Sequence, residues 1–228
     1  MAEGADSGVT YTAIESFCGP GGLSLGLRQA GFDVRIAFDA NAIAVETYRL
    51  NLHHNCFQAR AEEVPGTKLL YQAGLEAGNV DLFSGGSPCQ GFSKQKRGAH
   101  LGDDRNQLVL EYARLVTEIK PRFFMLENVA MLGQKRGKEF INEFSTNLQD
   151  YVLYPHFYNS ADYGVAQTRE RFIVVGKRKD IAVKFHPPCP TVINWKTVGE
   201  VLNGIPEPPE DYTVHPDYPN HQRARDRR

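Results

Sequence analysis

Short apolar runs and amphipathic stripes alternate along most of this chain, and that alternation leaves it few folds. Runs at 12–17, 32–38, 56–60, 80–84, 122–126, 152–158 and 171–176 read as strands. Stretches at 23–30, 42–52, 67–77, 105–119 and 137–149 read as helices. Val45, Tyr48 and Leu52 share one face of the second helix. Leu108, Tyr112, Leu115 and Ile119 form a stripe in the fourth, and Phe140, Ile141, Phe144 and Leu148 in the fifth. Gly31 stops the first helix and Pro121 the fourth. Strands alternating with helices of about 10–15 residues predict an α/β fold with a doubly wound, mostly parallel sheet.

The 228 residues, 41% of them apolar, can build one sizeable domain with room for an appendage. A net charge of -1 excludes a global basic field, so a nucleic-acid partner has to be held by a local patch. Cys18, Cys56, Cys89 and Cys189 make no CxxC pair and no secretory framework, which points to reduced thiols in a cytoplasmic protein without a zinc site. No signal peptide and no apolar run of membrane length is legible. Residues 1–10 read as a disordered leader, 11–180 as the main domain, and 181–228 as a connection. That connection holds Pro187, Pro188, Pro190, Pro206, Pro208, Pro209, Pro216 and Pro219, with a short helix at 195–202. Its end, Arg-Ala-Arg-Asp-Arg-Arg, reads as a solvated tail.

Three constellations carry chemistry. The first is the turn Phe17-Cys18-Gly19-Pro20-Gly21-Gly22 after the first strand, with Asp39 ending the second. Glycines let the backbone approach a ligand, the next helix offers its N-terminal N–H groups, and an acid at Asp39 can accept from both hydroxyls of a ribose. A Gly-rich turn alone is as often structural. Together with Asp39 it indicates an adenosine-containing cofactor, either NAD or S-adenosylmethionine.

The second is the loop Ser84-Gly85-Gly86-Ser87-Pro88-Cys89-Gln90-Gly91-Phe92-Ser93, together with Glu127. Pro88 fixes its own φ and restricts Ser87, so Cys89 sits on a stiff backbone. Cys89 and Glu127 follow two successive apolar strands, which favours neighbouring positions at one sheet edge. A thiol nucleophile beside a carboxyl that can be protonated suits attack on an electron-poor ring. The third is Gln167-Thr168-Arg169-Glu170-Arg171, read as opening the last strand with Gln167, Arg169 and Arg171 on one face. Two guanidinium groups aimed at one place suit a carbonyl oxygen, a carboxylate or a phosphate. Residues 90–103 form a long polar loop bearing Lys94, Lys96, Arg97 and His100.

The FxGxGG turn, the SPCQGFS loop, the Glu127-Asn128-Val129 tripeptide and the QxRxR element, in this order, resemble the catalytic half of a cytosine-C5 DNA methyltransferase over roughly residues 11–180. The resemblance implies a Rossmann-like sheet of the S-adenosylmethionine-dependent methyltransferase type, incomplete at the C-terminus. It implies that a cytosine flips out of duplex DNA, that Cys89 attacks C6, and that Glu127 donates a proton to N3. C5 then takes a methyl group from S-adenosylmethionine, and loss of the C5 proton releases Cys89. Arg171 would contact the cytosine O2, Arg169 would position the Cys89 loop, and residues 90–103 would close over the DNA. Phe17 would pack on the adenine and Asp39 would hold the ribose. Gly19, Pro20, Gly22, Leu23, Ala40, Pro88 and Leu108 would complete the cofactor's surroundings. The family's acid near the end of strand three falls, without gaps, on Arg60, with Glu62 and Glu63 close by. Family members continue into a target-recognition domain and a returning segment, so the resemblance implies that these parts stand either in a longer form of this polypeptide or in a second chain. Restriction-modification is the associated role, in bacterial cytoplasm or nucleoid. Three alternatives stay open: the tRNA-methylating branch, a non-catalytic paralogue of the same fold, and an NAD-dependent dehydrogenase.

Overall fold

A computed structural model describes residues 10–88, 108–134 and 138–206. The chain divides into two compact units, residues 1–159 with 169–189, and residues 160–168 with 190–228.

Among the described residues, the first unit is built on a seven-stranded sheet. Its strands are β1 (Tyr11–Ser16), β2 (Phe32–Asp39), β3 (Cys56–Gln58), β4 (Leu82–Gly85), β5 (Phe123–Val129), β6 (Tyr151–Asn159) and β7 (Glu170–Arg178). They lie in the order β3-β2-β1-β4-β5-β7-β6. The first five are parallel, whereas β7 runs antiparallel to both β5 and β6. The helices are α1 (Gly22–Gln29), α2 (Ala42–Asn51), α3 (Gly66–Ala73), α4 (Leu108–Ile119) and α5 (Lys138–Asn147). The doubly wound, mostly parallel α/β sheet expected from the sequence is therefore present.

Alternation along each strand explains the two layers. Ile14, Phe38, Phe83, Phe124 and Leu126 meet α3, α4 and α5 in the larger core, with Leu69, Tyr112, Leu115, Ile119 and Phe144 packed against them. Ala13, Val34 and Leu82 face the other way with Leu27 of α1, while Ala37 and Cys56 pack on Val45 and Tyr48 of α2. The pairing of β2 with β1 skips Arg35, so Val34 and Ala37 fall on one face although two residues, Arg35 and Ile36, lie between them. The expected stripe of α4 holds at Tyr112, Leu115 and Ile119, but Leu108 is only half-buried. The Tyr112 hydroxyl is shared between the carbonyls of Phe83 (2.9 Å) and Met125 (3.0 Å), which ties α4 to β4 and β5. Arg114 reaches from α4 to the carbonyls of Ala61 and Val64.

On the α1 face, cover thins out beyond β1. Leu82, Phe123, Met125 and Val175 line a groove there, walled by Ile181, Val183 and Phe185 of the segment after β7. The sheet is bounded by the three-residue β3 and by β6, which carries Pro155 opposite Val174.

In the second unit, a 3₁₀ turn at Ser160–Tyr163 is held by the Asp162 carbonyl, which accepts from the N–H groups of Thr191 (2.9 Å) and Val192 (3.2 Å). The expected helix at 195–202 is shorter. Trp195 donates its indole N–H to Asp162 Oδ1 (2.9 Å), and α6 (Val198–Leu202) begins at Thr197 with a Thr197–Glu200 capping box. Among the described residues no helix is long and apolar enough to cross a membrane.

Candidate active site

Four parallel strands end at one rim. Pairing sets Ser16 of β1 beside Phe38 of β2 and Gly85 of β4, and Gly85 beside Leu126 of β5. The next residue on each strand path is Phe17, Asp39, Gly86 and Glu127, so these four form a row across the rim. With neighbouring strands about 4.8 Å apart, Asp39 and Glu127 stand roughly 15 Å from each other. Such a row can seat a nucleoside at one end and a reacting ring at the other.

At the first end the chain makes a sharp left-handed turn. Phe17 has φ 52°, Gly19 53° and Gly21 101°. A Cβ on Gly21 would stand 2.9 Å from the Tyr48 ring and closer still to Leu52, so only glycine fits. Phe17 has no such freedom. A bulky residue held there is strained, a condition that clusters at ligand sites. Its half-buried ring leans toward Phe38, with centroids 6.3 Å apart. The turn is held by backbone donors. Gly19 N–H donates to Asp39 Oδ2 (2.9 Å), Asn41 N–H to Asp39 Oδ1 (2.8 Å), and Cys18 N–H to the Phe38 carbonyl (3.2 Å). Each Asp39 oxygen keeps a lone pair for a ligand. The first turn of α1 has no side-chain cap and no acid, so its N-terminus suits an anion or a polar ligand group. Pro20, Gly22 and Ala40 are exposed around the turn, and Leu23 is half-buried.

Beneath the turn lies a polar chain that sequence reasoning missed. Glu15 is buried on the α1 face of β1 and accepts from the Ser24 hydroxyl. Ser24 Oγ is 2.7 Å from the Tyr48 hydroxyl, which is 3.1 Å from His53 Nε2. Burial pushes the Glu15 carboxyl up to about 8, and Asp39 nearby adds to the rise. Burial also lowers His53. Cys18 turns inward, its Sγ 3.6 Å from that of Cys56, and this contact and burial push the thiol well up. Cys18 is thus a core thiol, although it stands in the turn.

At the other end Glu127 and Arg171 meet. Arg171 Nε lies 2.6 Å from Glu127 Oε1, and Arg171 Nη1 donates to the Glu170 carbonyl (2.8 Å). Val129 pairs with Arg171 across β5 and β7, which brings the two side chains to the same rim. Gly86 comes so near that a Cβ there would stand 3.0 Å from Glu127 Oε2. Asn128 is buried with its amide on Ser87, another contact that the sequence reading passed over. Its signal was present, because alternation in β5 puts position 128 on the core face with Phe124 and Leu126. Pro88 is exposed. Cys89, Gln90, the basic loop at 90–103 and Phe140's side chain lie outside the described residues.

Two expectations need correction. Gln167, Arg169 and Arg171 do not share a strand face, because β7 begins at Glu170. Pairing with β6 starts only there, opposite Asn159, and Arg169 is exposed with its backbone N–H on Asn159 Oδ1 (3.1 Å). The Arg60 position lies past the end of β3, and its guanidinium points to Glu62 (3.1 Å) and Glu63 (4.0 Å). Among the described residues no cluster of three or more His, Cys, Asp or Glu could hold a metal ion.

The family model for C-5 cytosine-specific DNA methylases matches residues 11–226. Type II methyltransferase M.XorII of Xanthomonas oryzae pv. oryzae is 38% identical over 199 residues, covering 85% of this chain and 46% of that protein. Type II methyltransferase M.AgeI of Thalassovita gelatinovora is 36% identical, covering 85% of this chain and 45% of its own. Type II methyltransferase M.AquIA of Picosynechococcus is 32% identical over 186 residues, covering 77% of this chain and 75% of its own. The chain spans about half the length of the first two relatives. Among solved structures, an E. coli protein assigned as a prophage-encoded DNA modification methyltransferase superposes with a TM-score of 0.76 at 30% identity, covering 87% of this chain and 56% of that one. The S. pombe Dnmt2 methyltransferase shares the fold at TM-score 0.58 and 17% identity, over 85% of this chain and 53% of its own.

Proposed function

Because the chain belongs to the C-5 cytosine-specific DNA methylase family, we propose that it carries the catalytic part of a DNA (cytosine-5)-methyltransferase of the restriction-modification kind. The observation that carries this reading is the row of Phe17, Asp39, Gly86 and Glu127 at one rim, with Arg171 on Glu127 at 2.6 Å.

The first end of the row suits S-adenosylmethionine. The left-handed turn leaves backbone open to a ligand, and Asp39 has spare acceptor capacity toward ribose hydroxyls. Phe17 would offer a ring face to the adenine, and Gly19, Pro20, Gly22, Leu23, Ala40, Pro88 and Leu108 would complete the cofactor's surroundings. When bound, S-adenosylmethionine supplies an electrophilic methyl group. At the second end, Cys89 as a thiolate forms a bond to C6 of a flipped cytosine. Glu127 gives a proton to N3, and the electron pair of the C5–C6 double bond gathers at C5, the position that would take the cofactor's methyl group while its sulfur keeps the electron pair of the broken S–CH3 bond. After transfer the N3 proton returns to the Glu127 carboxylate, and loss of the C5 proton to a base expels Cys89 as a thiolate and restores the ring. Arg171, held beside Glu127, contacts O2 of the same base. Arg169 stands near the start of β7 to position the Cys89 loop. The basic side chains of 90–103 meet phosphates. We place recognition of the DNA sequence in polypeptide outside these 228 residues, in a continuation or a second chain, since the first two relatives are about twice as long.

The test is methyl transfer from labelled S-adenosylmethionine to duplex DNA, with tRNA as the competing acceptor and NAD as the competing ligand. Transfer to duplex cytosine that Cys89→Ala abolishes, with cofactor binding retained, is the expected result. Substantial turnover by Cys89→Ala, or preference for tRNA or NAD, would sink it.

A further inference from the structure

The Asn128 amide has no role in the chemistry above, yet it lies where an apolar side chain belongs. The burial pattern of β5 alternates, with Phe124, Leu126 and Asn128 all turned into the core. Asn128 is 2% exposed, and a primary amide in such a row has to be fully bonded to be tolerated. It is bonded to one neighbour above all. Nδ2 donates to the Ser87 carbonyl (2.9 Å) and to Ser87 Oγ (3.2 Å), while Oδ1 accepts from Val129 N–H (2.8 Å). Ser87, itself 3% exposed, is one residue past Gly86 and two before Cys89. Beyond Gly85 the ladder between β4 and β5 has stopped, so the Asn128 side chain takes over where backbone pairing ends.

We propose that Asn128 is a positioning residue that clamps Ser87, and so holds the Ser87-Pro88 segment that precedes Cys89 in sequence beside Glu127. This rests on the methyltransferase reading for its purpose, but not for its geometry. Asn128 and Glu127 are consecutive, and they point to opposite faces of β5. One holds the loop that carries the nucleophile and the other is the acid, so a single strand sets the spacing of both. A leucine would satisfy the core at 128 but would leave the Ser87 carbonyl without its donor. An aspartate would keep the acceptor for Val129 and lose both donors.

The experiment uses the full chain with Asn128→Ala, Asn128→Asp, Ser87→Ala and Ser87→Thr. Hydrogen exchange followed by mass spectrometry reads the peptide over 84–92, with β1 and α1 as internal references. Adduct formation on duplex DNA containing 5-fluorocytosine, with S-adenosylmethionine present, reads placement of Cys89. Both Asn128 variants are expected to speed exchange in that peptide about tenfold and to slow the adduct at least about tenfold. Exchange in β1 and α1, and cofactor affinity, stay as in the parent. Ser87→Ala is expected to fall between, since its carbonyl still accepts, and Ser87→Thr to match the parent. Unchanged exchange at 84–92, an unchanged adduct rate, or faster exchange spread equally over β1 and α1 would overturn the clamp. A parent chain that forms no adduct while the local exchange difference is present supports the clamp and counts against the methyl-transfer reading instead.

Discussion

The two ends of the rim are held by different kinds of bond. Around Phe17 and Asp39 the donors are backbone N–H groups of Cys18, Gly19 and Asn41, and the turn itself depends on glycines. Around Glu127 the fixing groups are side chains: Arg171 on the carboxylate and Asn128 on Ser87. A backbone-built site keeps its shape when surrounding side chains change, because the peptide groups remain. A site made from side chains can rearrange when a substrate arrives, and each truncation removes a part outright. On the proposed reading, the Phe17–Asp39 end suits a constant ligand, and the Glu127 end suits groups that exchange partners during a cycle.

The largest break in this contrast is expected from Glu127→Gln. It keeps the shape and removes the acid, so single-turnover transfer should fall about 10²–10⁴-fold. Cofactor affinity by calorimetry should stay within about twofold, since Glu127 lies across the rim. A matching loss of affinity would mean that the two ends are not separately built.

The next effect concerns Glu15 beneath the cofactor turn. The folded chain keeps the Glu15 proton up to about pH 8, whereas an unfolded chain releases it near its ordinary 4.5. Between those limits the folded state binds the extra proton, so stability falls as pH rises, by about 1.4 kcal/mol per pH unit for this group. Its contribution is complete below about 4.5 and has gone above about 8. Chemical denaturation across that window should show the decline, and Glu15→Gln should flatten it. An unchanged slope in the variant would remove Glu15 as its source.

A smaller effect is expected from Gly21→Ala, about 2–3 kcal/mol in the same measurement, from the forced left-handed φ and the collision with Leu52 and Tyr48. Cofactor affinity should fall with it, whereas Gly86→Ala should disturb transfer more than stability, because its Cβ meets the Glu127 carboxylate. The smallest is Tyr112→Phe, about 1–2 kcal/mol from the bond shared by the Phe83 and Met125 carbonyls. Loss of transfer beyond that lost stability would show that α4 tunes the rim as well as supporting it.

Much of the scaffold was legible because two periods alternate cleanly. The stripe of Tyr112, Leu115 and Ile119 and the apolar run before Glu127 need only local pattern to be read. The neighbouring placement of the strands before Cys89 and Glu127 followed from the short-connection rule. What escaped depended on partners distant in sequence. The skip at Arg35 changes which residues of β2 face α1, and only the pairing with β1 reveals it. The antiparallel direction of β7 depends on where the chain crosses after β5, about which hydrophobic period is silent. Alternation alone fits Arg169 to a strand, but alternation of polar residues carries no burial and so does not compel pairing, and β7 begins at Glu170. The task of Asn128 is not legible in its tripeptide, since a buried amide acquires meaning only once its acceptor is known.

Pro155 in β6 has a consequence for how molecules of this protein meet. An edge strand offers a row of free N–H and C=O groups on which another chain can lay its own strand. Proline at mid-strand removes a donor from that row, and proline is tolerated in a strand where its nitrogen faces away from the partner. At the opposite border β3 offers only three residues. Among the described residues, both margins of the sheet are therefore poor templates for strand addition by a second chain.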